Sequence, residues 1–117
     1  MLQVYGIKNC NTVKKALDWL NENKLDYVFH DYKKTPATEE KLLEWENKVN
    51  WENLVNKKGT TWKKLSPEDQ SKVQDAKSAN AALLKNNSMI KRPLIETSQG
   101  IILGFDESEY NTKLNNQ

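Results

Sequence analysis

Apolar positions along this chain recur with two different periods, and the change of period marks its elements. Residues 2–5 form a short apolar run closed by Gly6, which reads as a buried strand. Val13, Ala16, Leu17 and Leu20 then recur at helical spacing, with Lys14, Lys15, Asp18 and Glu22 mostly on the opposite side. Asn9, Asn11 and Thr12 are capping residue types, so this helix starts at or just after Cys10 and ends over 21–24. Residues 27–32 return to the strand period, with Tyr27, Phe29 and Asp31 on one face and Val28, His30 and Tyr32 on the other. Strand, helix and strand within one such span make a βαβ unit with parallel strands.

Pro36 closes that unit and a block of helices follows. Leu42, Trp45 and Val49 predict a helix over 38–49, and 51–55 reads as one further turn. Lys57-Lys58-Gly59-Thr60-Thr61 reads as a polar loop. Ser66-Pro67-Glu68-Asp69 combines a serine cap, a proline at the first helical position and acids at the positive end of the dipole. That helix is expected to run through Val73 and Ala76, with a second segment from about Ala79 to a stop at Asn86-Asn87-Ser88. Two apolar strands, 94–97 and 101–103, joined through Ser98-Gln99-Gly100, predict a β-hairpin. Asp106 to Glu109 then opens a last helix carrying Tyr110 and Leu114.

The order βαβ, helices, ββα predicts an α/β fold: a mixed four-stranded sheet with helices on both faces. This is the thioredoxin-like arrangement with a helical insertion after the second strand. The whole chain, 1–117, is expected to be a single domain, with the insertion at about 37–88.

Composition narrows the function classes. Eighteen basic and sixteen acidic side chains nearly cancel, so the net charge of +2 gives no reason to expect nucleic acid. No apolar run is long enough to span a membrane, and the start lacks the pattern of a signal peptide. The expectation is a cytoplasmic monomer. The acids show no metal-ligand or paired-carboxylate spacing, and the four glycines form no phosphate loop. One cysteine excludes an internal disulfide, so redox chemistry at Cys10 needs a thiol from another molecule.

Cys10 lies in the turn between the first strand and the first helix, where free N–H groups and the helix dipole favour a thiolate. Lys14, one turn on, adds a cation, and the polar neighbours Lys8, Asn9, Asn11 and Thr12 argue against an inert buried thiol. Arg92 is the only arginine among the basic residues, the other seventeen being lysine. Arg92-Pro93 precedes the third strand, whose start lies beside the cysteine turn in this fold. Its guanidinium could hold an anionic substrate there. His30 lies inside a strand and reads as structural.

The stretches Tyr5-Gly6-Ile7-Lys8-Asn9-Cys10-Asn11-Thr12-Val13-Lys14-Lys15-Ala16, Asp26-Tyr27-Val28-Phe29-His30-Asp31-Tyr32, Gly59-Thr60-Thr61-Trp62-Lys63-Lys64-Leu65 and Ile90-Lys91-Arg92-Pro93-Leu94 together resemble the ArsC-like family. The match is to its arsenate reductase-related YffB branch. The resemblance implies a nucleophilic Cys10, a cis bond between Arg92 and Pro93, and glutathione as co-substrate with no bound cofactor. Glutaredoxin is a further partner it implies. Substrate contacts then fall to Asn9, Asn11, Thr12, Lys14, Lys58, Lys91 and Pro93.

Departures from the family pattern separate three readings. Arsenate reductases of the family hold the oxyanion with three arginines, of which only Arg92 has a counterpart here. Lys58 stands in the loop where relatives carry an arginine, and Leu103-Gly104-Phe105 replaces the late one. The first expectation is therefore a glutathione-linked thiol–disulfide oxidoreductase using Cys10 alone. The second is a glutaredoxin-coupled arsenate reductase. The third is a non-enzymatic regulator like Spx, which binds RNA polymerase; Val13 stands where that branch has its second cysteine.

Overall fold

The computed structural model describes residues 1–115, which form two compact units. The first, Met1–Asp31 with the segment from Arg92 onward, contains the whole sheet; the second is Tyr32–Lys91. The inserted unit thus begins and ends a few residues outside the expected 37 and 88.

In the first unit β1 (Leu2–Gly6) leads into α1 (Asn11–Glu22) and β2 (Tyr27–Asp31). After the insertion come β3 (Leu94–Thr97), β4 (Gly100–Leu103) and α7 (Glu107–Leu114). The strands are ordered β2-β1-β3-β4, with β1 parallel to β2 and antiparallel to β3, and β3 antiparallel to β4. Val4 pairs with Phe29 on one side and Ile95 on the other, and Ile95 with Ile102. This register places Leu2, Val4, Ile95 and Ile102 on one face. Ala16, Trp19 and Leu20 of α1 and Tyr110 and Leu114 of α7 pack there as a common core. Trp19 and Phe105 both meet the Tyr110 ring edge-on, at 5.3 and 4.9 Å between centroids. The buried Tyr110 hydroxyl donates to the Gly104 carbonyl at 2.6 Å, so its polar end is satisfied. The mixed sheet and its βαβ and ββα halves are those of the thioredoxin-like fold.

The second unit is helical: α2 (Glu39–Glu46), α3 (Trp51–Leu54), α4 (Thr60–Lys63), α5 (Pro67–Ser71) and α6 (Ala76–Lys85), then a 3-10 turn at Asn87–Met89. Leu42, Trp45, Leu54, Leu83, Met89 and Ile90 are fully buried in it. The expected loop at 57–61 is in part a helix, since Thr60 to Lys63 make one turn. The expected run through Ala76 is broken after Lys72, and α6 starts afresh at the Asp75 cap. There Asp75 accepts from the Ser78 N–H at 2.8 Å while the Ser78 hydroxyl accepts from the Asp75 N–H at 3.1 Å. That reciprocal box stabilises a restart that apolar spacing does not reveal.

Candidate active site

Gly6 ends β1 as part of the strand rather than breaking it, and three residues lead from it to Cys10. A Cβ on Gly6 would stand 2.9 Å from Cγ2 of the buried Val13. The glycine thereby lets the first turn of α1 press against the end of β1.

Cys10 is the N-cap of α1, with extended backbone (φ −133°, ψ 124°), and its carbonyl accepts from the Lys14 N–H at 2.9 Å. It closes no short cap bond of the serine or aspartate kind. Its larger sulfur is instead approached by the Val13 and Thr12 N–H groups and by the Arg92 guanidinium. The thiol is partly buried, and that burial by itself would raise its pKa. The Val13 N–H, the Arg92 hydrogen bond, the Thr12 N–H and the Arg92 charge together outweigh burial and hold the thiol below the ordinary cysteine value. Helix start and single arginine thus act on one atom.

Arg92 is half-buried, the Arg92–Pro93 peptide is cis, and the Pro93 carbonyl accepts from Gly104 N–H at 2.8 Å. The structure therefore brings Cys10, Thr12 and Arg92 together. Asn9, Asn11 and Lys14 surround the turn as exposed residues. The cation acting on the thiol is Arg92, and Lys14 is not among the groups that shift it. Lys58 and Lys91 are exposed residues of the second unit. His30 stacks on Tyr5 at 4.5 Å between centroids and meets Gln3 Oε1 at 2.7 Å through Nε2, which accounts for its place in the sheet. The free N–H groups expected at the helix start are those of Val13 and Thr12; Val13 was not singled out, its signal being its place three residues after the capping position.

The model of the ArsC family matches residues 5–113 of this chain. This chain belongs to the ArsC family. An uncharacterized protein of Haemophilus influenzae is 40% identical over 110 residues, covering 94% of this chain and 96% of that protein. Among solved structures, the YffB protein superposes with a TM-score of 0.90 at 38% identity, over 97% of this chain and 99% of that one. An arsenate reductase (ArsC) related protein from Brucella melitensis superposes with a TM-score of 0.77 at 43% identity, over 96% and 92% of the two chains. This member of the ArsC family therefore sits among arsenate reductase-related, thiol oxidoreductase-like proteins. Among the described residues no His, Cys, Asp and Glu side chains gather as a metal site, and no helix is long and apolar enough to cross a membrane.

Proposed function

We propose that this protein is a thiol–disulfide oxidoreductase working through Cys10 alone, with glutathione as co-substrate. The observation that carries the reading is Cys10 at the N-cap of α1, its thiol lowered below the ordinary value by the Val13 N–H, the Arg92 guanidinium and the Thr12 N–H despite its partial burial. A thiolate so stabilised attacks one sulfur of a disulfide; a new S–S bond forms to Cys10 and the other sulfur leaves as a thiolate. Glutathione then attacks the mixed disulfide and restores Cys10, because the chain has no second cysteine to do so. Arg92 has a further use once the sulfur is neutral in the mixed disulfide: its guanidinium can attract a glutathione carboxylate. Asn9, Asn11, Thr12 and Lys14 border the turn where that ligand would lie.

Arsenate is the poorer substrate on the same chemistry. A multiply charged oxyanion must be desolvated and held beside an anionic sulfur, and one arginine serves both. Charge-assisted hydrogen bonds are worth about 1.5–3 kcal/mol each, so lacking two guanidinium partners costs roughly two to four orders of magnitude in rate. Lysines supply point charges without the bidentate fork.

The test is paired. Protein incubated with oxidised glutathione is weighed by mass spectrometry, and arsenite is measured with glutathione and glutaredoxin supplied. The expected result is a Cys10-linked glutathione adduct absent from Cys10→Ser, with little or no arsenite. Efficient Cys10-dependent arsenite production would falsify this ranking in favour of arsenate reduction. Neither product would point to a non-enzymatic, Spx-like role, checked by RNA polymerase binding that survives Cys10→Ser.

A further inference from the structure

An open groove runs between α2 and α6, wholly within the second unit. It holds about 540 Å³ and is walled by Leu43 on one helix and by Ala76, Ala81 and Leu84 on the other. Among the described residues four large apolar side chains stand exposed, and two of them, Leu43 at 50% and Leu84 at 37%, share this groove. Single exposed leucines are ordinary, but two on one groove make a patch. The helices run antiparallel. The Ala37 N–H, just ahead of α2, donates to Asn87 Oδ1, just beyond α6, at 2.9 Å. Further along, Asn80 Nδ2 donates to Glu46 Oε1 at 3.1 Å. Glu39 therefore stands at the Leu84 end of the groove and Lys77 at the opposite end, about 12 Å away along the helix. These are the charged residues that line it, and neither closes a salt bridge among the described residues.

We propose that this groove docks a second copy of the chain, making a two-fold dimer. A groove with an acid at one end and a base at the other is complementary to itself when turned end for end. A two-fold axis through its middle, near Leu43 and Ala81, sets Glu39 of each copy against Lys77 of the other. The same operation brings the two Leu43 side chains together and turns each Leu84 towards the other copy's alanines, whose small side chains leave room for it. Burial of the leucines supplies the attraction. The two rim pairs fix the direction, because grooves stacked in parallel would set Glu39 on Glu39 and Lys77 on Lys77. Two short helices per copy cover less area than a permanent interface, so the dissociation constant is expected at about 10–100 µM. The inference uses nothing of the thiol chemistry, and it replaces the expected monomer with an equilibrium set by concentration.

The test is sedimentation velocity with dithiothreitol present, so that Cys10 cannot link two chains. Wild type should pass from monomer towards dimer between roughly 5 and 500 µM. Glu39→Lys and Lys77→Glu should each raise the dissociation constant about tenfold or more, because both rim pairs become repulsive. Mixing the two variants should restore the dimer, since their heterodimer again has opposite charges at both ends. Glu39→Lys/Lys77→Glu in one chain should restore it as well. Either recovery also shows that the single variants are folded. Leu43→Ser/Leu84→Ser should stay monomeric over the whole range with unchanged far-ultraviolet circular dichroism. Monomer alone at every wild-type concentration would overturn the proposal and leave the groove to a helix of some other protein. A dimer indifferent to both charge reversals would overturn it too, because a different face would then hold the copies together. So would a loss in each single variant that mixing does not recover, which would exclude the two-fold pairing of Glu39 with Lys77.

Discussion

Cys10 and Arg92 are both single occurrences of their residue type in the chain, and the structure spends one on the other. The pH profile of Cys10 alkylation should therefore have its midpoint below the free-cysteine value of about 8.5. Arg92→Ala should raise that midpoint, while Lys14→Ala should leave it in place, reversing the weight that sequence spacing gave to Lys14. An unchanged midpoint in Arg92→Ala would remove Arg92 from the account. The same shift links Cys10 to stability. Because its folded pKa is lowered, the unfolded chain binds more protons in the window between the folded value and about 8.5, so stability rises with pH there. The contribution is fully present above the unfolded value and is lost as pH falls through the folded one. Urea midpoints of wild type and Cys10→Ser should accordingly diverge in favour of wild type as pH rises towards 8.5. A constant difference across that range counts against a stabilised thiolate.

At the scale of elements, the junction of β1 and α1 decides where the sulfur sits. Gly6→Ala would put a Cβ 2.9 Å from Val13 Cγ2 and 3.7 Å from Phe29 Cε1. Val13 is fully buried and has no room to retreat, so the substitution should destabilise by about 1–3 kcal/mol in urea unfolding. It should also raise the Cys10 midpoint, because the displaced residue carries an N–H that acts on the sulfur. Adding Val13→Ala removes the opposing methyl, so the double variant should lose less than the two single losses combined. Strict additivity would show that the close approach is not the cause. Elements with a strong period or cap were legible beforehand: α1 from its apolar stripe, α5 from Ser66-Pro67, and the hairpin from two apolar runs across Ser98-Gln99-Gly100. α4 was not, since four residues are too few to show a period. Nor was the break before α6, where a local exchange between Asp75 and Ser78 overrides a continuous helical pattern. In the site, the side chains Cys10 and Arg92 were readable, one from its turn and the other from topology. Free N–H groups at the helix start were readable as a class, but not that Val13 leads among them, because a backbone donor leaves no mark in residue type.

Across the whole molecule a single thiol limits what oxidation can do. Peroxide converts a cysteine thiolate to a sulfenic acid, and a neighbouring thiol normally captures that species as a disulfide before further oxidation. This chain contains no such thiol, and the polar turn around Cys10 leaves the sulfur partly accessible. With peroxide alone, Cys10 should therefore pass on to the sulfinic acid, and its capacity for alkylation should not return on treatment with dithiothreitol. With glutathione present, the sulfenic acid condenses with the added thiol, releasing water and leaving a mixed disulfide that dithiothreitol reverses. Intact mass before and after dithiothreitol separates the two fates, and Cys10→Ser should show neither. Arg92→Ala should slow both, since the thiolate is the species that reacts and its population falls when the guanidinium is removed. The same irreversible loss with and without glutathione would mean that the incoming thiol does not reach the sulfur. A site closed to glutathione in this way could not be resolved by it during turnover, and the assignment of glutathione as co-substrate would fall with that result.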